Sequence, residues 1–192
     1  VKLSGFEVAS RLSYFLWAST PDDELLDAAE RGALDATAGI REQAQRMLGD
    51  DRWKRSLASF ELQWLGMDRP FEGRDPEHYP SYGEAVWEAA RKEAGALAEH
   101  VYIEKKGTFR ELLSTSFTFG DAALAGIYGA KAPAGGWGRI ELDSARRVGP
   151  ATSVGFLAAT SNQKATLPIR RGVFVRENFL CQHPPPPPPG TN

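Results

Sequence analysis

Any chemistry in this chain has to come from a small set of side chains: three histidines, one cysteine, and arginines gathered near a polar loop. A metal site needs clustered Cys and His ligands, or two His one helical turn apart. His78, His100 and His183 are scattered instead, so no metal site is expected. His100 falls beside Val101 near the end of a long helical stripe, and His183 lies just before a proline run. These two are the candidates to face a haem, and His100 is also a candidate base. The ordinary alternative for each is a surface or hydrogen-bonding histidine.

A second possible site is ionic. Ser161 and Asn162 open a polar loop, and Arg170 and Arg171 follow it, a set that could hold an anion or an acidic surface. Local pairing is the favoured alternative, with Arg170 on a loop carbonyl and Glu177 with Arg171 or Arg176 on the same helix. Trp137 stands in the glycine-rich stretch GAKAPAGGWG, where an exposed ring would suit sugar stacking. Other chemistries lack their signatures. Gly135, Gly136 and Gly138 lead into a possible strand rather than a helix, so they make no phosphate cradle. Neither Ser153 nor Ser161 has the glycine elbow of a hydrolase nucleophile. The pairs Asp22-Asp23 and Asp50-Asp51 sit at helix starts, where capping and the helix dipole account for them. No catalytic residue is assigned.

The elements that would position these groups are helices. Ser4 to Ala18 is apolar nearly all round, a pattern expected of a central helix, with Arg11 expected to snorkel from its edge. Thr20-Pro21-Asp22-Asp23 starts a second helix ending at Gly32, and Asp35 opens a third ending near Gly49. A fourth runs from about Asp51 to Met67 on a seam of Trp53, Leu57, Phe60 and Trp64. After a proline-rich loop, Gly83 to Lys105 forms the longest helix, about 33 Å at 1.5 Å per residue. Its buried stripe is Trp87, Ala90, Ala94, Leu97 and Val101, and its charges read as a solvated face. Thr108 and Asp121 cap short helices around an extended Phe117-Thr118-Phe119, and Arg139 to Leu142 makes a short strand. Pro150 to Thr160 is a small apolar helix, and Pro168 starts the last one, running to about Cys181 with Ile169, Val173 and Leu180 inward.

The expected fold is therefore mainly α, an irregular multi-helix bundle with at most one or two short strands, ending in a polyproline II tail. Residues 1–129 read as a helical domain, 130–183 as part of a second, and 184–192 as a proline spacer whose six prolines extend about 19 Å. With 23 basic and 25 acidic side chains well mixed, a net charge of −2 leaves no basic footprint for nucleic acid. No run approaches the length of apolar sequence needed to span a membrane. The start, VKLSGFEVAS, carries no basic-then-apolar signal and reads as a segment of something longer.

Four stretches carry a resemblance. These are GFEVASRLSYFLWASTPDDELL at the start, FELQWL from Phe60, the long helix followed by Phe117-Thr118-Phe119, and RVG, TSN and PIRRGVFVREN leading to the prolines. Together they resemble the adjoining domains of unknown function 1592 and 1588 of large planctomycete-type cytochrome c proteins. The resemblance implies an exported, multidomain c-type cytochrome, periplasmic or at the cell surface, with haem attached through Cys-x-x-Cys-His. That motif is absent here, since Cys181 is followed by Gln182 and His183 without a second cysteine. No cofactor is expected in this segment, and the haem module, its implied partner, would lie downstream. The functional expectation is a non-catalytic scaffold positioning that module for electron transfer. The alternatives are part of an oxidative enzyme acting on polysaccharide or another polymer, or a ligand- or protein-binding module. A pocket lined by Trp17, Trp64 and Trp87 would favour the enzyme, and a filled core burying those rings would favour the scaffold.

Overall fold

A computed structural model describes residues 2–185. Pro186 to Pro189, most of the expected polyproline run, lie outside the described residues. The chain forms two compact units, residues 1–60 and 61–192.

In the first unit, α1 (Gly5–Trp17) begins with a capping box in which the Ser4 hydroxyl accepts from the Glu7 N–H and Glu7 reaches back to the Ser4 N–H. Asp22 caps α2 (Asp23–Glu30), two residues later than Thr20-Pro21 implies, because the Asp22 carboxylate accepts from the Leu25 N–H. A single 3-10 turn, Ala33–Asp35, leads into α3 (Thr37–Leu48), and α4 (Arg52–Trp64) follows. The core is Trp17, Leu25, Leu34, Met47 and Trp53 with alanines between them. Trp17 is 1% exposed and its indole N–H donates to the Met47 carbonyl at 2.9 Å.

The central place expected for α1 is not what it occupies. Only Ala9, Ser13 and Trp17 are buried along it, while Phe6, Tyr14 and Phe15 are exposed, as is Arg11. Where every face is apolar, composition cannot select the buried one. Small residues decide it here: a Cβ on Gly5 would come within 3.0 Å of the Ala29 carbonyl, so α1 lies close against α2 along its alanine face.

In the second unit, α5 (Glu84–Ala98) is the axis, and it contacts both the strand that follows and the later helices α7 and α8. Its stripe is as expected, with Trp87, Ala90, Ala94, Leu97 and Val101 all buried. It continues as a π-helical turn, Glu99–Glu104, then α6 (Phe109–Leu113), β1 (Phe117–Gly120) and α7 (Ala122–Tyr128). β2 (Gly138–Glu141) pairs antiparallel with β1, Thr118 opposite Ile140 and Phe119 opposite Arg139. A 3-10 turn (Pro150–Thr152), α8 (Val154–Ala159) and α9 (Pro168–Phe174) complete the unit, α9 closing in a π turn, Val175–Phe179. The glycine-rich loop lies inside this unit, where Ala130 and Trp137 pack on its core.

Two glycines permit close approach. Gly149 has φ 61°, and a Cβ there would come within 2.3 Å of the Leu113 carbonyl oxygen. A Cβ on Gly155 would come within 2.1 Å of the Met67 methyl. The inward face of α9 differs from the expected one. Ile169 is 82% exposed and Leu180 56%, whereas Phe174, Val175 and Phe179 pack on the core. The π turn, Val175–Phe179, rotates the residues after it relative to an α-helical count, which accounts for Leu180; Ile169 lies before it, exposed in the first turn of α9. The architecture is mainly α with two short antiparallel strands, as the sequence pattern implies.

Candidate functional site

The polar loop is built from local hydrogen bonds. Asn162 Oδ1 accepts the N–H groups of Lys164 and Ala165, and the Ser161 hydroxyl donates to the Leu157 carbonyl at 2.6 Å. Ser161 and Thr166 pair as an isolated antiparallel bridge, which closes the loop. Arg171 donates to the Thr160 hydroxyl at 3.4 Å and Arg170 is exposed. The structure therefore brings Ser161, Asn162 and Arg171 into one local turn, and their polar atoms hold that turn. Trp137 lies elsewhere, half-buried, under the Lys92 ammonium 3.9 Å from its ring centroid.

The two candidate haem-facing histidines have different surroundings. His100, on the π turn, is mostly buried, bonded through Nδ1 to Glu104 and packed against the rings of Phe117 and Phe119. His183 is 88% exposed and sits 3.8 Å from Glu177. Among the described residues, no group of three or more His, Cys, Asp or Glu is arranged to hold a metal ion.

Within the second unit, α9 and its π turn end on an aromatic cluster. The Trp64 indole N–H donates to the Asn178 carbonyl at 3.1 Å, and its ring lies 4.6 Å from that of Phe179. Phe156, fully buried, meets Phe174 at 5.1 Å and Phe179 at 6.1 Å. Cys181 takes a left-handed conformation and the Gln182 N–H returns to the Arg176 carbonyl at 2.8 Å, which ends the helix before the prolines.

Two buried carboxyls escaped the sequence reading. Glu93 on α5 is 2% exposed, and its Oε1 accepts from the Thr118 hydroxyl of β1 and the Tyr128 hydroxyl of α7, both at 2.6 Å. The Tyr128 oxygen in turn accepts from the Val154 N–H of α8 at 2.9 Å, so one carboxyl ties three elements to the axis. Its Oε2 has no partner among the described residues. Burial pushes the Glu93 pKa up to about 7, against the pull of the two hydroxyls and Arg147. Glu61, 1% exposed, is likewise pushed up to about 7 by burial, and its Oε1 has no partner among the described residues. A signal for both was present: Glu93 lies three residues after Ala90 and four before Leu97, and Glu61 four from both Leu57 and Leu65. Each is a carboxyl on an apolar stripe. The seam chosen for α4 passed through Phe60, which is 58% exposed, and so ran one residue away from Glu61.

Fold and site together define a mainly α protein whose polar side chains are largely committed to holding its elements. The chain belongs to the family described as "Protein of unknown function (DUF1592)", whose model matches residues 3–130. A second model, "Protein of unknown function (DUF1588)", matches residues 147–192. No curated protein matches the chain, and neither does any solved structure. No helix among the described residues is long and apolar enough to cross a membrane.

Proposed function

We propose that this chain is a non-catalytic helical scaffold of a larger, exported c-type cytochrome-like protein. It positions a downstream haem module for electron transfer at the periplasm or cell surface. The observation that carries this reading is the aromatic anchor at the root of the proline arm. A stiff spacer transmits position only if its base is fixed, and Trp64, Phe156, Phe174 and Phe179 clamp that base by ring contacts and one indole hydrogen bond. The haem context comes from the resemblance. The polymer-oxidising alternative needed a pocket lined by three tryptophans. Trp17 and Trp87 are instead 1% and 4% exposed, and Trp64 is covered by Phe109 and Phe179, which supports the scaffold.

The test is an absorption spectrum of the chain after co-expression with haem-maturation machinery, beside a version extended past Asn192. The scaffold role predicts no Soret band in the shorter protein and a redox-active one in the longer. A Soret band in the shorter protein that is lost on changing His100 or His183 would overturn it.

A further inference from the structure

We propose that a cleft of the second unit, with Arg74 and Arg147 in its wall, binds a small amphipathic anion: a carboxylate or phosphate head on an apolar body. This goes beyond the scaffold role and does not depend on it. The cleft is open to solvent and offers about 210 Å³, room for a small ligand rather than a large one. Ile127, Val154, Leu157 and Ala158 give it an apolar lining, and Tyr79 and Tyr82 add two rings.

The charges in this cleft lack an obvious balance. Arg74 donates to the carbonyls of Gly73 and Ala158, and Arg147 to that of Thr152, which uses two and one of the five N–H groups of a guanidinium. Neighbouring arginines find acids: Arg69 lies near Glu72 and Arg146 near Asp143. Among the described residues neither Arg74 nor Arg147 has a carboxylate within ion-pair distance, and Arg147 feels Glu93 only through space. Guanidinium forks with spare donors are suited to oxyanions.

Independent evidence comes from buried donors left without acceptors. The Tyr82 hydroxyl is buried with no partner among the described residues, and burial pushes its pKa up to about 12, which keeps it a donor. The Trp87 indole N–H, in a residue 4% exposed, also has no partner. Trp87 lines a narrow recess that shares Arg74, Tyr82, Ala158 and Ser161 with the cleft. Leaving such donors unmatched costs stability, and a bound acceptor removes that cost. Two guanidiniums without a carboxylate, the orphan Tyr82 hydroxyl and an apolar lining describe the complement of an amphipathic oxyanion, with the Trp87 N–H in the adjoining recess. Ser161, picked out from the sequence for binding, belongs to this cleft, whereas Asn162, Arg170 and Trp137 do not line it.

The experiment is a titration of the full ¹⁵N-labelled chain with benzoate, phenyl phosphate, neutral benzamide and inorganic phosphate, followed by NMR. Benzoate or phenyl phosphate should give saturable shifts at the Trp87 indole N–H and at the Ala158 and Ser161 amides, and the stronger of the two identifies the head group. Arg147→Gln should weaken that binding about tenfold, the loss of one charge-assisted contact. Equal binding of benzamide would refute recognition of an anion, and equal binding of inorganic phosphate would refute the role of the apolar lining. No shift at these positions with either aromatic anion would overturn the proposal. The unmutated protein decides among these outcomes even if the variant fails to fold.

Discussion

The two units differ in where their unmatched polar groups lie. In the first, a cluster of charged groups at the rim is matched. Asp22 takes both arms of Arg46 at 2.9 Å, Asp50 takes Arg52 at 2.9 and 3.0 Å, and the Arg52 guanidinium lies 3.4 Å from the Trp17 ring centroid. Its buried side-chain groups without partners, among the described residues, are two serine hydroxyls, Ser13 and Ser56. In the second unit carboxyls lie inside with an oxygen unmatched, and a phenol and an indole are left without acceptors. Matched rim charges only add stability. Unmatched interior groups cost stability, and they are retained where something else uses them. The proposed ligand site therefore falls in the unit whose interior polar groups are unmatched, and the first unit is built by packing.

Deleting a central ring in each unit gives the largest effects. Trp17→Ala and Phe156→Ala should each lower stability by about 3–5 kcal/mol, read from denaturant midpoints. Phe156→Ala should also loosen the arm root, because Phe156 touches Phe174 and Phe179, whereas Trp17→Ala should leave it unchanged.

The next test separates the units by pH. Glu93 and Glu61 titrate near 7 when folded, against an ordinary value of 4.5. Folded protein then binds more protons than unfolded protein between those values, so their contribution to stability falls as pH rises from about 4.5 through 7. Glu93→Gln should raise stability at pH 8 by on the order of 2 kcal/mol and flatten that limb. An unchanged limb would mean that the carboxyl is already ionised when folded.

Asp22 has the opposite sign. Arg46, its main partner, holds its pKa down at about 2. Its stabilisation is present above pH 4 and lost as pH falls through 2. Asp22→Asn should cost on the order of 1 kcal/mol at pH 7, solvent screening included, less at pH 2 and almost nothing at about pH 1. The smallest effect expected is that of Lys92→Met, about 0.5 kcal/mol, because the ammonium over Trp137 is solvent-accessible. Thermal melts of this variant beside the parent protein would measure it.

Much of this molecule was legible in its sequence, and the failures have physical causes. Capping residues marked α6 and α7 closely, with Thr108 and Asp121 each accepting an N–H of the first turn. The α5 stripe was legible because its faces differ sharply in polarity. The buried face of α1 was not, because apolar residues lie nearly all round it, and beyond α9 the π turn shifts Leu180 off the expected face. The candidate site suffered most. Asn162 and Ser161 have the polarity of a binding loop, and local hydrogen bonds use it. The cleft draws on residues 74 to 166, a range of chain that no local pattern spans. Glu61 and Glu93 are carboxyls on apolar stripes: Glu93 sits on a helix whose other charges form a solvated face, and Glu61 lies one residue off the expected α4 seam through Phe60.

The central claim, an arm fixed at its root, can be tested through Cys181, the single cysteine, which is exposed. A nitroxide attached there reports its own mobility by electron paramagnetic resonance. The anchored root predicts a broad, slow-motion spectrum in the parent protein that sharpens in Phe179→Ala. A spectrum already as sharp in the parent as in that variant would contradict it.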